Sequence, residues 1–274
     1  MNMSSDKVYR RYLSLLGWVG DPGLHGLVRS HLIKVPFENI SGLLAVAAGD
    51  APAVPSIETF LKGIRERSLG GAYFAPNLHF ASLLRFLDYE VELLSTRFGN
   101  TDHAHPILRV THEGVRYVVD VAYGAPLYEP LALDRDEPHR ISHGQYEFEL
   151  SRHPVVKGTY ELATLQNGKK IRAYSFKDEP VDVEVFEPAV EALFSKDSEF
   201  LQDLRITRFF DSRVLEVHGR NVITTNHNVT TTEPALTVED LENTVQELML
   251  LDRCPVREAL DVLREHMGVT IVAR

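Results

Sequence analysis

The chain has 274 residues, with 29 Lys and Arg against 39 Asp and Glu, which gives a formal net charge of −10. This acidic balance argues against a nucleic-acid-binding surface, because such surfaces need clustered Lys and Arg. A single Cys excludes an internal disulfide and a Cys-rich metal site. No apolar run approaches the ~20 residues of a membrane span, and the polar start lacks the apolar core of an export signal, so we expect a cytoplasmic protein with no membrane partner.

The first part of the chain, through residue 88, is predicted to be helical. Apolar residues recur there at helical spacing, and Ser56 is a suitable N-cap for one of the segments. The predicted helical segments are 9–16, 24–33, 57–64 and 73–87.

After Tyr89 the pattern changes to short extended segments separated by Gly, Pro and Asn turns, which is typical of a barrel or sandwich. A turn at 112–114 joins two of these strands, and Asn167-Gly168 predicts a hairpin turn. The predicted strands are 91–98, 106–111, 116–121, 146–150, 159–165 and 171–176.

The last part of the chain mixes both kinds of pattern. It predicts helices over 188–204, 238–251 and 255–267, and strands over 207–210, 214–217 and 222–225. The order of elements predicts an α+β fold. It also predicts three domains, which are a helical bundle over 1–88, a β-barrel over 89–187 and an α/β domain over 188–274.

Two consecutive glycines, Gly70 and Gly71, precede the helix predicted from Tyr73. One interpretation is that backbone N–H groups at this helix start are free, so that they and the helix dipole stabilise an anion. The other interpretation is a tight turn between two helices.

His105 and Asp120 stand at adjacent ends of two strands, if these strands pair through the turn at 112–114. A carboxylate that accepts a proton from an imidazole nitrogen fixes the tautomer of the ring and raises its basicity. The alternative is a purely structural His–Asp contact at a strand end.

Two other features predict no chemistry. His103 and His105 share one face of an extended chain, but no third ligand is evident nearby, so we expect no metal site. Cys254 lies between two predicted helices, and we expect a buried, inert thiol there.

Taken together, the segments around Gly70, His105 and Asp120 resemble the arylamine N-acetyltransferase family in order and spacing. These enzymes use a Cys–His–Asp triad to pass acetyl from acetyl-CoA to an aromatic amine, hydrazine or hydroxylamine. The run 36–39 is similar to the family's Pro-Phe-Glu-Asn, residues 69–77 to its Arg-Gly-Gly-x-Cys-Phe-Glu-x-Asn, and residues 120–124 to its Asp-Val-Gly-Phe-Gly.

The resemblance implies a helical bundle, a β-barrel and an α/β lid over 188–274. It also implies acetyl-CoA or another acyl-CoA as co-substrate, with no permanently bound cofactor. His105 and Asp120 match two triad members, and Tyr73 stands where the family has its cysteine. The substrate-binding residues implied by the resemblance are Phe37, Gly71, Phe74 and Tyr123.

Two departures accompany the missing cysteine, because Leu69 replaces the motif's arginine and Ala75 replaces its glutamate. A phenol ionises only near pH ~10, so it is a poor substitute for a thiolate.

Three readings follow from this absence. In the first, the acceptor amine or hydroxyl attacks acyl-CoA directly, with His105 as general base and backbone N–H groups near Tyr73 holding the oxyanion. The second is an inactive homologue that binds CoA or an aromatic ligand. The third is a different reaction in the same pocket, such as amide or ester formation in a biosynthetic pathway, with an acyl donor other than acetyl-CoA. The active readings expect the His105 imidazole and the Tyr73 phenol to face each other across a cavity, and the sequence leaves the oligomeric state open.

Overall fold

The structure of the protein is a computed structural model that describes residues 3–153, 155–195 and 197–272. Its elements group into two compact units, each built from two stretches of chain. The first unit comprises residues 1–32 and 76–189, and the second comprises 33–75 and 190–274. The three consecutive domains predicted from the sequence divide the chain differently, and that division stays a prediction.

The helices of the described residues are numbered α1 to α8 in chain order. They are Met3–Leu16, Leu24–Lys34, Ile40–Ala48, Ile57–Arg67, Ala75–Phe86, Glu187–Leu193, Val238–Asn243 and Val256–His266. Short 3₁₀ segments occupy Val183–Phe186 and Glu199–Leu201, and a π-helical segment occupies Thr244–Leu248. None of the helices in the described part of the chain is long and apolar enough to cross a bilayer.

The strands are numbered β1 to β13. They are Phe37–Glu38, Glu90–Arg97, Pro106–His112, Val115–Val119, Leu131–Ala132, His139–His143, Tyr146–Arg152, Thr159–Gln166, Lys169–Pro180, Arg205–Phe209, Arg213–His218, Asn221–Asn226 and Val229–Pro234. The predicted α+β class is therefore confirmed.

The helices predicted in the first part of the chain are confirmed as α1, α2, α4 and α5. Ser56 caps α4 as predicted, because its hydroxyl oxygen accepts the Thr59 N–H at 3.2 Å. The sequence patterns did not predict α3, whose almost uniformly apolar residues give a weak amphipathic signal.

The single helix predicted over 188–204 is wrong. Helix α6 ends at Leu193, and strand β10 begins at Arg205; Lys196, inside the predicted helix, lies outside the described residues. The Asn39 side chain holds the segment before β10 in a different conformation. Its Nδ2 donates to the carbonyl oxygens of Phe200 and Asp203, both at 2.6 Å, and its Oδ1 accepts the Arg205 N–H at 2.9 Å.

The first unit contains a nearly closed barrel of eight antiparallel strands, in the order β5-β4-β3-β2-β9-β8-β7-β6. Its inward-facing apolar side chains, including Phe148 and Leu162, form one buried core. The predicted turn at Asn167-Gly168 joins β8 to β9, with both residues at positive φ as a type I′ hairpin requires. Where the two edge strands meet, the Ala132 N–H of β5 donates to His139 Nδ1 of β6 at 2.7 Å.

The second unit is built on an antiparallel sheet in the order β1-β10-β11-β12-β13. Helices α3, α7 and α8 contribute to its buried core, together with Ile206, Leu215 and Val217 from the sheet. Strand β1 is only two residues long, but it pairs with β10 and so fixes Phe37 and Glu38 beside the sheet. These two residues contribute to the site described below.

One buried histidine makes the helical part of the first unit sensitive to acid. His31 is 1% exposed, its Nε2 lies 2.8 Å from the Tyr12 hydroxyl, and its ring meets Phe80 edge-on. Burial, with a smaller contribution from nearby His79, lowers the pKa of His31 to about 3. The folded state therefore requires a neutral imidazole at this position.

We predict that replacing His31 removes part of the acid sensitivity of folding. Because the pKa of His31 is depressed below its ordinary value of 6.5, its contribution is complete above pH 6.5 and is lost as the pH falls toward 3. The expected slope from this one group is about 1.4 kcal/mol of unfolding free energy per pH unit. Urea unfolding of the wild type and of His31→Gln from pH 7 to pH 4 measures it, and equal slopes in the two proteins would contradict the assignment.

Candidate active site

His105 and Asp120 lie at adjacent ends of two paired strands. His105 immediately precedes β3 and Asp120 immediately follows β4, and the antiparallel register places Leu108 opposite Val119. The two side chains meet with His105 Nε2 at 2.9 Å from Asp120 Oδ2, and both are buried. The predicted proximity is confirmed, whereas the catalytic role of the pair stays a prediction.

The Asp120 carboxylate receives hydrogen bonds from all sides. Asn77 Nδ2 and the Ala122 N–H donate to Oδ1 at 2.8 and 3.0 Å, and the Tyr174 hydroxyl donates to Oδ2 at 3.0 Å. Burial opposes ionisation of this group, but the His105 imidazole, Asn77 and Ala122 outweigh burial and lower the pKa of Asp120. An ionised carboxylate only accepts hydrogen bonds, so His105 Nε2 carries a proton and Nδ1 is the basic nitrogen of the neutral ring.

Asn77 fixes both strand ends to helix α5. Besides its bond to Asp120, its Nδ2 donates to the Pro106 carbonyl oxygen at 2.7 Å, and its Oδ1 accepts the Val121 N–H at 2.9 Å. This amide is 0% exposed and uses its oxygen and its nitrogen. The sequence showed Asn77 only as a retained motif residue.

Aromatic rings and a hydroxyl enclose the His105 imidazole. Tyr174 meets it edge-on at 5.2 Å between ring centres, and Tyr123 stacks on it at 6.4 Å. Thr96 Oγ1 lies 3.0 Å from Nδ1. Thr96 and Tyr174 also border a cavity of about 770 Å³ within the first unit. The contacts of Thr96 and Tyr174 were not found from the sequence, because both residues read as ordinary strand positions.

Tyr73 stands in a strained turn just before helix α5. Its φ of 55° lies in the left-handed region, which costs a residue with a side chain about 1–3 kcal/mol. The Phe74 N–H donates to the Ala72 carbonyl oxygen at 2.6 Å, which closes a three-residue turn around Tyr73. The half-buried phenol ring meets Phe37 and Phe200 edge-on, with ring centres 5.3 and 5.0 Å away.

The backbone N–H groups of the two glycines before this turn, Gly70 and Gly71, are engaged in hydrogen bonds. Both donate to the buried carboxylate of Glu38, which also accepts the Ser41 N–H at 2.8 Å. Burial raises the pKa of Glu38, and these bonds oppose that rise. Because the Phe74 N–H is also engaged, these three groups are not available to an oxyanion, and oxyanion binding by other N–H groups near Tyr73 stays a prediction.

The second unit holds an apolar cavity of about 650 Å³ beside this turn. Gly71 and Phe74, two of the predicted substrate-binding residues, line it together with Phe200. Phe37 borders Tyr73, and Tyr123 lies beside His105 in the first unit. The predicted site residues thus divide between the two units. The first unit contains His105, Asp120 and Tyr123, and the second contains Phe37, Gly71, Tyr73 and Phe74.

Cys254, the one cysteine of the chain, is unsuited to act as a nucleophile. It is 4% exposed, and burial together with the Glu38 carboxylate raises the pKa of its thiol well above the ordinary value. A thiol of this kind stays protonated at neutral pH. The prediction of a buried thiol is confirmed.

Comparison with known proteins decides the family. A family profile described as N-acetyltransferase matches residues 22–252. An arylamine N-acetyltransferase from Mycolicibacterium smegmatis is 30% identical over 230 residues, covering 77% of this chain and 80% of that protein.

The chain belongs to the arylamine N-acetyltransferase family.

Two further similarities extend this result. The structure of Mycobacterium marinum arylamine N-acetyltransferase in complex with CoA superposes with a TM-score of 0.77 at 19% identity, covering 93% of this chain and 98% of that one. Proansamycin X synthase from Amycolatopsis mediterranei (strain S699) is 36% identical over 137 residues, covering 44% of this chain and 51% of that protein. The superposition with the Mycobacterium marinum structure supports the fold. The similarity to proansamycin X synthase covers about half of each protein.

The match of Tyr73 to the position of the family's cysteine stays a prediction. The residue there is a tyrosine with a left-handed backbone. His105 and Asp120, the predicted matches to the other two triad members, form a bonded, buried pair.

We predict that Gly70 cannot carry a side chain. A Cβ at Gly70 would lie 2.1 Å from the Pro36 carbonyl oxygen, whereas a Cβ at Gly20 would meet nothing within 4 Å. Gly70→Ala should therefore lower the free energy of unfolding by at least about 2 kcal/mol, and the control Gly20→Ala should change it by less than about 0.5 kcal/mol. Chemical denaturation measures both, and a Gly70→Ala protein as stable as the control would refute the close approach.

Proposed function

We propose that the protein transfers an acetyl or other acyl group from acyl-CoA, with acetyl-CoA as the first candidate, to an aromatic amine or hydroxyl acceptor. His105 acts as general base and Asp120 holds its ring. The observation that carries the proposal is the buried 2.9 Å contact between His105 Nε2 and Asp120 Oδ2. A buried ionisable pair whose side chains are hydrogen-bonded to each other supports a catalytic function over a purely structural one.

In this mechanism the acceptor attacks the thioester without a covalent enzyme intermediate. His105 Nδ1 takes the proton of the acceptor N–H or O–H as the acceptor lone pair bonds to the carbonyl carbon. The carbon–sulfur bond then breaks, and the imidazolium returns the proton to the departing CoA sulfur. General base catalysis contributes about 10²–10⁴-fold, and joint binding of donor and acceptor supplies the rest.

Tyr73 positions the acceptor in this proposal. Its ring forms an edge-to-face cluster with Phe37 and Phe200 in the second unit. Rings arranged in this way bind another aromatic ring favourably. The adjacent 650 Å³ cavity has mostly apolar walls, and its volume suits a small organic group. We assign it to the apolar part of the acceptor or of the acyl donor, and Gly71 and Phe74 serve as its lining.

The second candidate function is an inactive homologue that binds CoA or an aromatic ligand. Two observations favour it. The site has no thiol at position 73, and the N–H groups of Gly70, Gly71 and Phe74 are engaged in internal hydrogen bonds. In this alternative the His105–Asp120 pair serves only to join two strand ends.

We predict that turnover depends on His105 and is independent of Cys254. Release of free CoA thiol from acetyl-CoA, followed in the presence of an arylamine, should fall at least ~100-fold in His105→Gln. It should change less than about twofold in Cys254→Ser, because the native thiol is buried and protonated.

The kinetic pattern separates the two candidates. Direct transfer gives ternary-complex kinetics, and intact-protein mass spectrometry shows no acetylated enzyme. Measurable CoA affinity without turnover would establish the binding function instead, whereas loss of activity in Cys254→Ser would reject the proposed assignment of the site.

We also predict that Tyr73→Cys introduces covalent chemistry. A thiol at this position, in a Cys254→Ser background that leaves it the sole thiol, should accumulate one acetyl group from acetyl-CoA. Peptide mass spectrometry locates the label, and Tyr73→Ser is the matched control that is expected to stay unlabelled. If the introduced thiol stays unlabelled while reacting normally with a small alkylating reagent, acetyl-CoA does not reach this position.

A further inference from the structure

An arginine of the second unit has a buried donor without a hydrogen-bond acceptor among the described residues. Arg205 begins β10, and its side chain is half-buried. Its Nε is fully buried and has no hydrogen-bond partner. No ion pair among the described residues includes Arg205, and its guanidinium carbon lies 5.9 Å from the centre of the Phe200 ring. A buried donor of this kind requires an explanation, because most such groups in proteins are bonded.

The sheet of the second unit places Arg205 on the face of the aromatic cluster. Phe37 of β1 lies directly opposite Thr207 of β10, so both side chains are on the same face. Side chains two positions apart on a strand also share a face, so Arg205 is on it as well. The rings of Tyr73 and Phe200 meet Phe37 edge-on. The guanidinium therefore lies on the side of the sheet that carries the three rings proposed to bind the acceptor.

Asn39 fixes the backbone from which the Arg205 side chain starts. The Asn39 N–H donates to the Arg205 carbonyl oxygen at 3.1 Å, and the Arg205 N–H donates to Asn39 Oδ1 at 2.9 Å. The Asn39 Nδ2 also donates to the Phe200 carbonyl oxygen at 2.6 Å. One buried residue thus holds the backbone of both the cation and the neighbouring ring. A site organised in this way before binding loses less conformational entropy when a ligand arrives.

The carboxylates around Arg205 do not compensate its charge. Asp203, Glu38 and Glu216 lie close to it in the sequence or in the strand register, but none of them forms an ion pair with it. Asp203 Oδ2 lies 2.8 Å from His218 Nε2 instead, and Glu38 accepts backbone N–H groups. The guanidinium is therefore available to an anionic group of a ligand, and Nε together with a terminal nitrogen has the fork geometry that binds a carboxylate.

We propose that Arg205 is an anion-binding residue of the acceptor site, and that the acceptor is an aromatic amine bearing a carboxylate. This assignment rests on the proposed function, which places the acceptor ring against Tyr73, Phe37 and Phe200. The carboxylate then bonds to Nε and one terminal nitrogen of Arg205, and the amine lies at the other end of the ring. Arg205 makes no contact with the reacting atoms, so it determines which acceptor binds and takes no part in proton transfer.

Two other interpretations of Arg205 lead to different results. In the first, the guanidinium only covers the Phe200 ring and Nε binds a water molecule, so the charge of the ligand has no effect. In the second, Arg205 binds a phosphate of CoA, so the affinity for the donor depends on it. The aromatic cluster favours an aromatic carboxylate over both, because one ligand then satisfies the rings and the cation together.

Equilibrium binding of two matched ligands tests the proposal without requiring turnover. The probes are para-aminobenzoate and para-aminobenzamide, which share the ring, the amine and nearly the same size, while only the first is charged. In isothermal titration calorimetry of the full chain, para-aminobenzoate should bind at least about 10-fold more tightly. This comparison needs no variant. Equal affinities, or no measurable binding of para-aminobenzoate, would refute the proposal.

Variants assign the preference to one side chain. Arg205→Gln should bind the two probes equally, whereas Arg205→Lys keeps the charge and should retain part of the preference. Arg213→Gln is the matched control and should behave as the wild type. Arg213 also lies over a ring of the second unit, 4.6 Å from the centre of Phe210, but it donates to the Leu248 carbonyl oxygen. A full carboxylate preference in a folded Arg205→Gln protein would contradict the assignment, and Arg205→Met replaces this variant if it does not fold.

Titration with CoA and steady-state kinetics complete the test. If Arg205→Gln lost affinity for CoA but kept its preference for para-aminobenzoate, the guanidinium would bind a donor phosphate and the proposal would be wrong. In an active protein, Arg205→Gln should raise KM for para-aminobenzoate about tenfold with little change in kcat, because the charge is remote from the reacting amine. A wild type that shows the carboxylate preference without any turnover would reject the proposed acyl transfer and leave the anion-binding assignment standing.

Discussion

The site depends on one buried carboxylate. Asp120 is completely enclosed, and it stays ionised because an imidazole, an amide, a hydroxyl and a backbone N–H donate to it. Each donor comes from a different place in the chain, and two of them, Asn77 and Tyr174, lie on α5 and β9. Loss of one donor would leave the buried charge less well compensated in a low-dielectric interior, so the carboxylate constrains helix and strands together.

The same constraint determines what the histidine can do. Because Asp120 accepts from Nε2, the lone pair of the neutral ring is on Nδ1, and this nitrogen is the one that the proposed function uses as the base. Tyr73, the residue predicted to stand at the position of the family's cysteine, has a left-handed backbone and lies in an aromatic cluster with Phe37 and Phe200.

Local sequence patterns were sufficient to predict most of the long helices and strands and the contact between one pair of site residues. The His105–Asp120 contact follows from two strands joined by a short turn, so sequence spacing alone places it. Hydrogen bonds between side chains and residues far away in the sequence could not be predicted from these patterns. The Asn39 amide reaches residues more than 160 positions away and holds that segment out of the predicted helix.

The glycine pair shows a second limit of sequence reasoning. Gly70 and Gly71 correctly indicate a close turn, but the pattern does not show that Glu38, which is 32 and 33 positions earlier, accepts their N–H groups. The contacts of Thr96 and Tyr174 could not be predicted for a similar reason. Alternation of side chains within a strand shows which face of the sheet a residue occupies, but it does not show which group that residue contacts.

The joint between β5 and β6 has a consequence for the behaviour of the protein under acid stress. The bond from Ala132 ends on an imidazole lone pair, and burial together with Arg135 lowers the pKa of His139, which helps to keep that lone pair available. Protonation of His139 Nδ1 would replace the hydrogen-bond acceptor with a second donor. The hydrogen bond between β5 and β6 would then be lost. The two strand edges would then be exposed as templates for intermolecular pairing, so self-association at a pH below the lowered pKa of His139 would start between β5 and β6.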